Sequence, residues 1–174
     1  MSRSEVRICG LGGQGVVLAG QILGLAAVYD GKQVAQTQSY GAEARGSAAK
    51  SEVIISDSAI GFPKVRRCDY LVAMSQSALD THAKDLRQDG TLLVDEGLVE
   101  KIPEVKARVF KVPATKIAES QLKSRIYANV VMLGALTSKA KIVSKKAMKK
   151  AIAESVTAET RETNILAFKK GLSL

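Results

Sequence analysis

The chain is poor in the residues that most metal, redox and hydrolytic sites require. Among its 174 residues there are two cysteines and one histidine, and aromatic residues make up 4%. Cys9 and Cys68 form no Cys-x-x-Cys pair, which argues against a cysteine-held iron–sulfur cluster or structural zinc. We expect both thiols to lie in the core. His82 has charged neighbours and no nearby nucleophile, so we predict a solvated surface residue, with no catalytic residue and no metal site in this chain.

Long apolar runs are also missing. Hydrophobic residues make up 46% of the chain, but no run approaches the ~18 residues that a membrane span needs. The first residues lead almost directly into a predicted strand and leave no room for a secretory signal segment. We therefore expect a cytoplasmic protein that does not contact a membrane.

The net charge of +9 is unevenly distributed. Residues 1–100 hold 10 basic and 12 acidic side chains, whereas residues 101–174 hold 16 and 5. A basic C-terminal part could meet nucleic acid, an acidic protein or an anionic cofactor, or could simply be a solvated lysine surface. The scarcity of aromatic residues and the lack of a recognisable RNA- or DNA-binding motif argue against nucleic acid.

A glycine-rich segment, residues 10–15, is the most informative motif in the chain. We call it the glycine loop; it reads Gly10-Leu11-Gly12-Gly13-Gln14-Gly15 and lies between an apolar strand pattern and an apolar helix pattern. Its glycines permit positive φ and close approach of a ligand, and the first N–H groups of the following helix point at whatever lies above the loop. The loop suits an anion, most often a phosphate.

The rest of the pattern predicts an α/β, three-layer Rossmann-like domain with a mostly parallel sheet and a helical C-terminal segment. We predict one domain over residues 1–174, with an α/β core in 1–112 and a helical part in 113–174. The predicted strands cover residues 6–9, 34–39, 50–56, 69–74, 91–95 and 108–112. A helix over 14–29 joins the first two as a parallel β-α-β unit.

The remaining predicted helices follow the fourth strand and Pro113. After the fourth strand, a helix capped by Ser75 or Ser77 carries Leu79 and Leu86 inward and ends near Gly90. Helices then cover residues 114–122, 128–136, 144–156 and 164–170, with Gly171 as the stop of the last one.

The glycine loop matches the Gly-x-Gly-x-x-Gly dinucleotide fingerprint only in part. That fingerprint also needs an acidic residue at the end of the second strand to hold a ribose, and residues 36–39 read Gln-Thr-Gln-Ser. Standard NAD binding is therefore disfavoured. No Gly-Lys-Ser or Gly-Lys-Thr follows, so the loop is not a Walker A motif.

A polar loop follows the second strand. It runs over residues 40–49 and contains Glu43 and Arg45, two opposite charges flanked by glycines. Because ligands gather at the carboxyl ends of parallel strands, this loop and the glycine loop should face one crevice. Glu43 and Arg45 either contact a ligand there or form an ion pair that stabilises the loop.

Together these motifs resemble the gamma subunit of 2-oxoacid:ferredoxin (acceptor) oxidoreductases, which is similar to one domain of the single-chain pyruvate enzymes. The resemblance covers nearly the whole chain and is carried by residues 10–16, 37–46, 51–56, 112–115 and 129–136, with 162–164, 167–168 and 171 resembling the family's ending. The form of residues 38–46 resembles that of the 2-oxoglutarate and branched-chain enzymes, and we favour 2-oxoglutarate. Ser47 departs from the family, which usually has a second glycine there.

The resemblance implies a complex in which a 2-oxoacid is decarboxylated, its electrons pass to ferredoxin and its acyl group passes to coenzyme A. Thiamine diphosphate, Mg and 4Fe-4S clusters are expected in partner subunits (alpha, beta and, in some complexes, delta), with ferredoxin an indirect partner. This chain then binds no cofactor tightly, and self-association of the isolated chain is an open expectation. Coenzyme A is a candidate ligand of the glycine loop or of the basic tail.

The candidate binding residues lie in the glycine loop and in the segment after the second strand: Gly12, Gly13, Gln14, Gly15, Ser39, Tyr40, Glu43 and Arg45. Two other functions stay open from the residues alone. One is a stand-alone nucleotide-binding oxidoreductase that would bind NAD or a flavin. The other is a non-catalytic interaction module whose glycine loop serves only close packing.

Overall fold

A six-stranded sheet forms the centre of the structure, a computed structural model that describes residues 2–41 and 46–174. The strand order is β2-β3-β1-β4-β5-β6. The strands are β1 (Arg3–Leu11), β2 (Gln33–Tyr40), β3 (Ala48–Ser56), β4 (Cys68–Ala73), β5 (Leu86–Asp95) and β6 (Arg108–Val112). β1, β4, β5 and β6 pair in parallel, and only β3 runs against the others. The predicted mostly parallel sheet is confirmed.

The pairing of the first two strands differs from the prediction. β2 runs in the same direction as β1, but antiparallel β3 lies between them and pairs with both. The apolar residues Val53, Ile54 and Ile55 of β3 are buried on both faces of the sheet, which requires a position inside it. β2 ends in polar, exposed residues and is suited to the edge.

Six α-helices accompany the sheet within the described residues. They are α1 (Val16–Tyr29), α2 (Gln76–His82), α3 (Ala114–Leu122), α4 (Ala128–Ala140), α5 (Lys145–Ser155) and α6 (Ala158–Leu172). Ser75 caps α2 as predicted, its hydroxyl accepting the N–H of Ala78 at 3.2 Å. The predicted length of α2 is wrong, because Leu86 already opens β5.

The helices divide into two layers on opposite faces of the sheet. α1 and α3 to α6 pack on one face, over a core that includes Val6, Ile8 and Phe168. α2 and the irregular residues 96–107 cover the other face, around a smaller core that includes Leu79. Cys9 and Cys68 are fully buried in that smaller core, and burial raises the pKa of each thiol to about 12, as expected of core thiols.

Two glycines set the contact between α4 and α6. A Cβ at Gly171 would lie 2.0 Å from the carbonyl oxygen of Val131, and one at Gly134 would lie 2.4 Å from that of Phe168. The two helix backbones therefore touch directly. The prediction that Gly171 ends the last helix is wrong, since it lies inside α6 and is needed for close approach rather than for termination.

Candidate functional site: the glycine loop and its cavities

The glycine loop connects the end of β1 to the start of α1. Gly13 has φ +93° and Gly15 has φ +72°, conformations that side chains with a Cβ rarely adopt. In the described part of the chain no side chain caps α1, and its first turn contains no acidic residue. The first N–H groups of α1 therefore remain available to a ligand, and the positive end of the helix dipole favours an anion.

The switch point of the sheet places this loop in a crevice. β1 and β4 are parallel neighbours, and α1 after β1 packs on one face of the sheet while α2 after β4 packs on the other. At such a point the two connections diverge and leave an opening at the carboxyl ends of the strands, where ligands of α/β proteins bind.

Gln14 uses its side chain to hold the loop in place. Its Oε1 accepts the N–H of Leu11 at 2.6 Å, and its Nε2 donates to the carbonyl oxygen of Met74 at 2.8 Å. Both ends of the amide thus join β1 to β4. Its backbone N–H donates to the Leu11 carbonyl oxygen at 3.1 Å, so Gln14 shapes the loop with its side chain and its backbone donor alike.

Asn129 at the start of α4 supports the loop from the other side. Its Nδ2 donates to the carbonyl oxygen of Gly15 at 3.2 Å, and its Oδ1 accepts the N–H of Val130 at 2.9 Å. A Cβ at Gly15 would lie 2.4 Å from Asn129 Nδ2, so a glycine is needed there for space as well as for φ. Sequence reasoning missed this role, although Asn129 lies within a motif of the family resemblance.

Two cavities border Gly13, which is exposed. The larger, about 350 Å³, is lined by backbone of the loop, by Asn129 and by hydroxyl and amide groups of the α5–α6 region: Ser155, Thr157, Thr160 and Asn164. The smaller, about 70 Å³, includes Thr115 and Arg125 in its wall. Arg125 is ion-paired with Glu119 at 2.6 Å.

Ser39 and Tyr40 line a third cavity, which we call the His82 cavity. Its volume is about 320 Å³, and its wall is formed by the end of β2, the start of β3, α2 and Gly10. The glycine loop and the connection between β2 and β3 are also joined directly, because the Gly12 N–H donates to the Ser47 carbonyl oxygen at 2.8 Å. Glu43 and Arg45, the other two predicted site residues, lie outside the described residues.

The position of His82 corrects the prediction of a solvated histidine. Its side chain is only 17% exposed, and Nδ1 lies 3.7 Å from the Asp85 carboxylate. Burial lowers the pKa of His82, and the nearby charges of Arg7 and Lys50 lower it further, against an opposing effect of Asp85. The imidazole therefore favours its neutral form more strongly than a solvated histidine does.

A buried charge network lies behind that imidazole. The Arg7 Nε donates to Glu52 Oε1 at 2.8 Å, and its Nη1 lies 2.5 Å from Asp85 Oδ2. Lys50 Nζ reaches the same Glu52 carboxylate at 3.2 Å. Burial alone would raise the pKa of Glu52, but Arg7 outweighs burial and holds it below its usual value. The sequence did contain a signal for this network, which was overlooked. Arg7 and Glu52 are charged residues inside the otherwise apolar strands β1 and β3.

Metal and membrane sites are not found in the part of the chain that the structure describes. Within residues 2–41 and 46–174, no three His, Cys, Asp or Glu side chains come together as ligands for a metal ion. No helix among these residues is both long and apolar enough to cross a bilayer.

Comparison with protein families and curated relatives gives consistent matches. The family model of pyruvate ferredoxin/flavodoxin oxidoreductase matches residues 5–174. A 2-oxoglutarate synthase subunit KorC from Methanocaldococcus jannaschii is 55% identical, over 97% of this chain and 92% of its own. The KorC of Methanothermobacter marburgensis is 49% identical, over 99% of this chain and 96% of its own.

A solved structure shares the fold along nearly its whole length. It is the gamma subunit of a keto/oxoacid ferredoxin oxidoreductase from Geobacter sulfurreducens, with a TM-score of 0.88 and 43% identity. The match covers 98% of this chain and 96% of that one. The predicted α/β class is thus supported both by the strand order observed here and by a structural relative.

Proposed function

This chain belongs to the pyruvate ferredoxin/flavodoxin oxidoreductase family, and on that premise we propose that it works as the gamma subunit of a 2-oxoglutarate:ferredoxin oxidoreductase. The predicted family resemblance is confirmed by the matches. The assignment of 2-oxoglutarate as the substrate is supported by the sequence identity of this chain, 55% and 49%, to two subunits named for 2-oxoglutarate synthase. The form of residues 38–46 favours the same substrate.

The proposed place of the chain in the reaction is a supporting one. The enzyme decarboxylates the 2-oxoacid, transfers its electrons to ferredoxin and its acyl group to coenzyme A. With two separated cysteines and one histidine, the chain's own residues do not fit an iron–sulfur cluster. The sequence also lacks a Gly-Asp-Gly thiamine motif. Thiamine diphosphate, Mg and 4Fe-4S clusters therefore belong to alpha, beta and, where present, delta subunits.

Coenzyme A is the ligand that we propose for the glycine loop, where its pyrophosphate would meet the N-terminus of α1. A Cβ built on Gly13 meets nothing within 4 Å, so the surface above the loop is open to a ligand. α1 is 14 residues long and lacks a side-chain cap within the described residues, which suits a phosphate. The adjoining cavity of about 350 Å³ offers hydroxyl and amide groups to the rest of the molecule.

Co-expression with the neighbouring subunits tests the proposed function. We expect a brown, thiamine-containing complex that reduces ferredoxin with 2-oxoglutarate and coenzyme A, and does so faster than with pyruvate. Omitting this chain should abolish or strongly reduce that activity. If the chain instead purifies alone with bound NAD or flavin, it is a stand-alone oxidoreductase. If it assembles but its glycine loop binds no anion even at low salt, it is an interaction module.

A further inference from the structure

The His82 cavity is separate from the two cavities that border Gly13, and nothing in the proposed function uses it. It opens between the β2–β3 hairpin and α2, and its volume of about 320 Å³ is at the small end for ligand pockets. A ligand that fits this volume is a small metabolite or one functional group of a larger molecule, rather than a whole nucleotide.

The wall of the cavity is rich in hydrogen-bond donors. Lys50 and His82 line it together with hydroxyl groups of β2 and α2: Ser39, Tyr40, Ser77 and Thr81. The Thr81 hydroxyl donates its proton to the Ser77 carbonyl oxygen at 2.8 Å and is left as an acceptor. Among the described residues no carboxylate lines the cavity. Donors without a carboxylate favour an oxyanion over a cation or an apolar ligand.

The charges behind the wall are balanced before any ligand enters. The cations Arg7 and Lys50 are matched by the carboxylates Glu52 and Asp85, in one network of contacts at 2.5 to 3.2 Å. An added anion would leave this cluster with one uncompensated negative charge in a half-buried place. His82 is the neighbouring group that can supply the compensating positive charge by taking up a proton.

We propose that the His82 cavity binds a small oxyanion, a carboxylate or a phosphate group, with the Lys50 ammonium and the His82 imidazole as donors, and that binding draws a proton onto His82. The charged groups that act on the imidazole are Arg7 from β1, Lys50 from β3 and Asp85 after α2. Tyr40 from β2 lines the same cavity, and Glu52 from β3 pairs with Arg7 and Lys50. The proposal does not depend on the proposed enzyme function, because it concerns a site of this chain alone.

Proton uptake and anion binding must then be reciprocal. Burial and the charges of Arg7 and Lys50 lower the pKa of His82 in the free protein, and an anion in the cavity opposes those effects. By linkage, each tenfold preference of the anion for the protonated imidazole raises the pKa of His82 by one unit. Conversely, the anion binds more tightly as the pH falls.

The chain contains a single histidine, so proton NMR of the full chain reports His82 without assignment. The pKa is read from its imidazole Cε1 proton in chloride, in sulfate and in acetate at equal ionic strength. Sulfate stands for a phosphate group and acetate for a carboxylate, and both are predominantly ionised between pH 5.5 and 8. We expect a rise of about one unit in at least one of the two anions, and the anion that gives it identifies the ligand class.

Two variants at Lys50 separate a built site from general screening. Lys50→Met should abolish the anion-dependent rise, and Lys50→Arg should retain it. Glu52 keeps its partner Arg7 in both variants, so the fold should be preserved, which a urea unfolding curve checks. An unchanged pKa of His82 in both anions overturns the proposal. A rise of equal size in Lys50→Met overturns it too, because it would show an adventitious ion only.

Discussion

Asn129 and Gly15 are joined by a hydrogen bond of 3.2 Å, although 114 positions separate them in the chain. The bond ties the first turn of α4 to the turn that opens α1, and Asn129 is 3% exposed. The C-terminal helices therefore help to shape the glycine loop directly. Removing this contact should affect both folding stability and the binding of the ligand that we propose for the loop.

We expect Asn129→Ala to lower the free energy of unfolding by about 1 kcal/mol, because it removes a buried amide that joins the Gly15 carbonyl oxygen to the Val130 N–H, while the Gly15 carbonyl oxygen keeps the N–H of Ala19. Equilibrium unfolding in urea measures the loss. Gln21→Ala, at an exposed position of α1, is the control and should change stability by less than about 0.5 kcal/mol. Equal stability of the two variants would show that the Asn129 amide does not support the loop.

An isosteric pair at Gly13 tests whether the glycine loop holds an anion. Asn and Asp have nearly the same shape and both tolerate positive φ better than most residues, at a position where φ is +93°, but only Asp places a negative charge at the N-terminus of α1. In the assembled complex we expect Gly13→Asp to weaken coenzyme A binding at least tenfold more than Gly13→Asn, because a like charge repels the pyrophosphate. Calorimetric titration gives both affinities. Matching affinities would remove coenzyme A from this loop.

The glycine contact between α4 and α6 should tolerate no side chain. We expect Gly171→Ala to cost about 1–3 kcal/mol or more, because its Cβ would lie 2.0 Å from the Val131 carbonyl oxygen. Gly61→Ala is the matched control, since a Cβ there meets nothing within 4 Å and its φ is not positive. Thermal unfolding compares the two. A small effect at Gly171 would mean that the helices separate easily at this crossing.

The ion pair of Arg7 and Glu52 should make stability depend on pH. The pKa of Glu52 is lowered by folding, so its contribution is fully present above the unfolded pKa of about 4.3 and is lost as the pH falls through the folded value. We expect Glu52→Gln to cost about 1.5–3 kcal/mol at pH 7, since Arg7 keeps Asp85 as a partner, and to flatten the stability curve below pH 5. Urea midpoints from pH 3 to 7 measure both effects. Parallel curves for wild type and variant would contradict the assignment.

Local patterns in the sequence located most elements well. The predicted sixth strand, residues 108–112, coincides with β6, because a short apolar run ends at Pro113. The helix after the fourth strand was predicted too long, because Leu86 fits a helical spacing as well as it fits the start of a strand. In the structure Leu86 begins β5. The beginning of α6 was missed because residues 158–163 are polar and give no apolar period.

The candidate site was only partly accessible to such reasoning. The turn at Gly13 and Gly15 was predicted from glycine spacing alone, and their positive φ agrees with it. The burial of His82 could not be predicted, because its sequence neighbours are charged while its surroundings are supplied by β1 and β3. The hydrogen bond from Asn129 to the glycine loop could not be predicted either, because its partner Gly15 is distant in the chain.

The sequence by itself determined the types of the elements, the glycine turn between β1 and α1, and the family. Those features depend on periodicity, on glycine conformation and on motif spacing, which are all properties of neighbouring residues. Only the tertiary structure decided the insertion of β3 beside β1, the pairing of Arg7 with Glu52 and the cavity around His82. Strand pairing and the burial of charge depend on contacts between distant residues, which the local pattern of the chain does not specify.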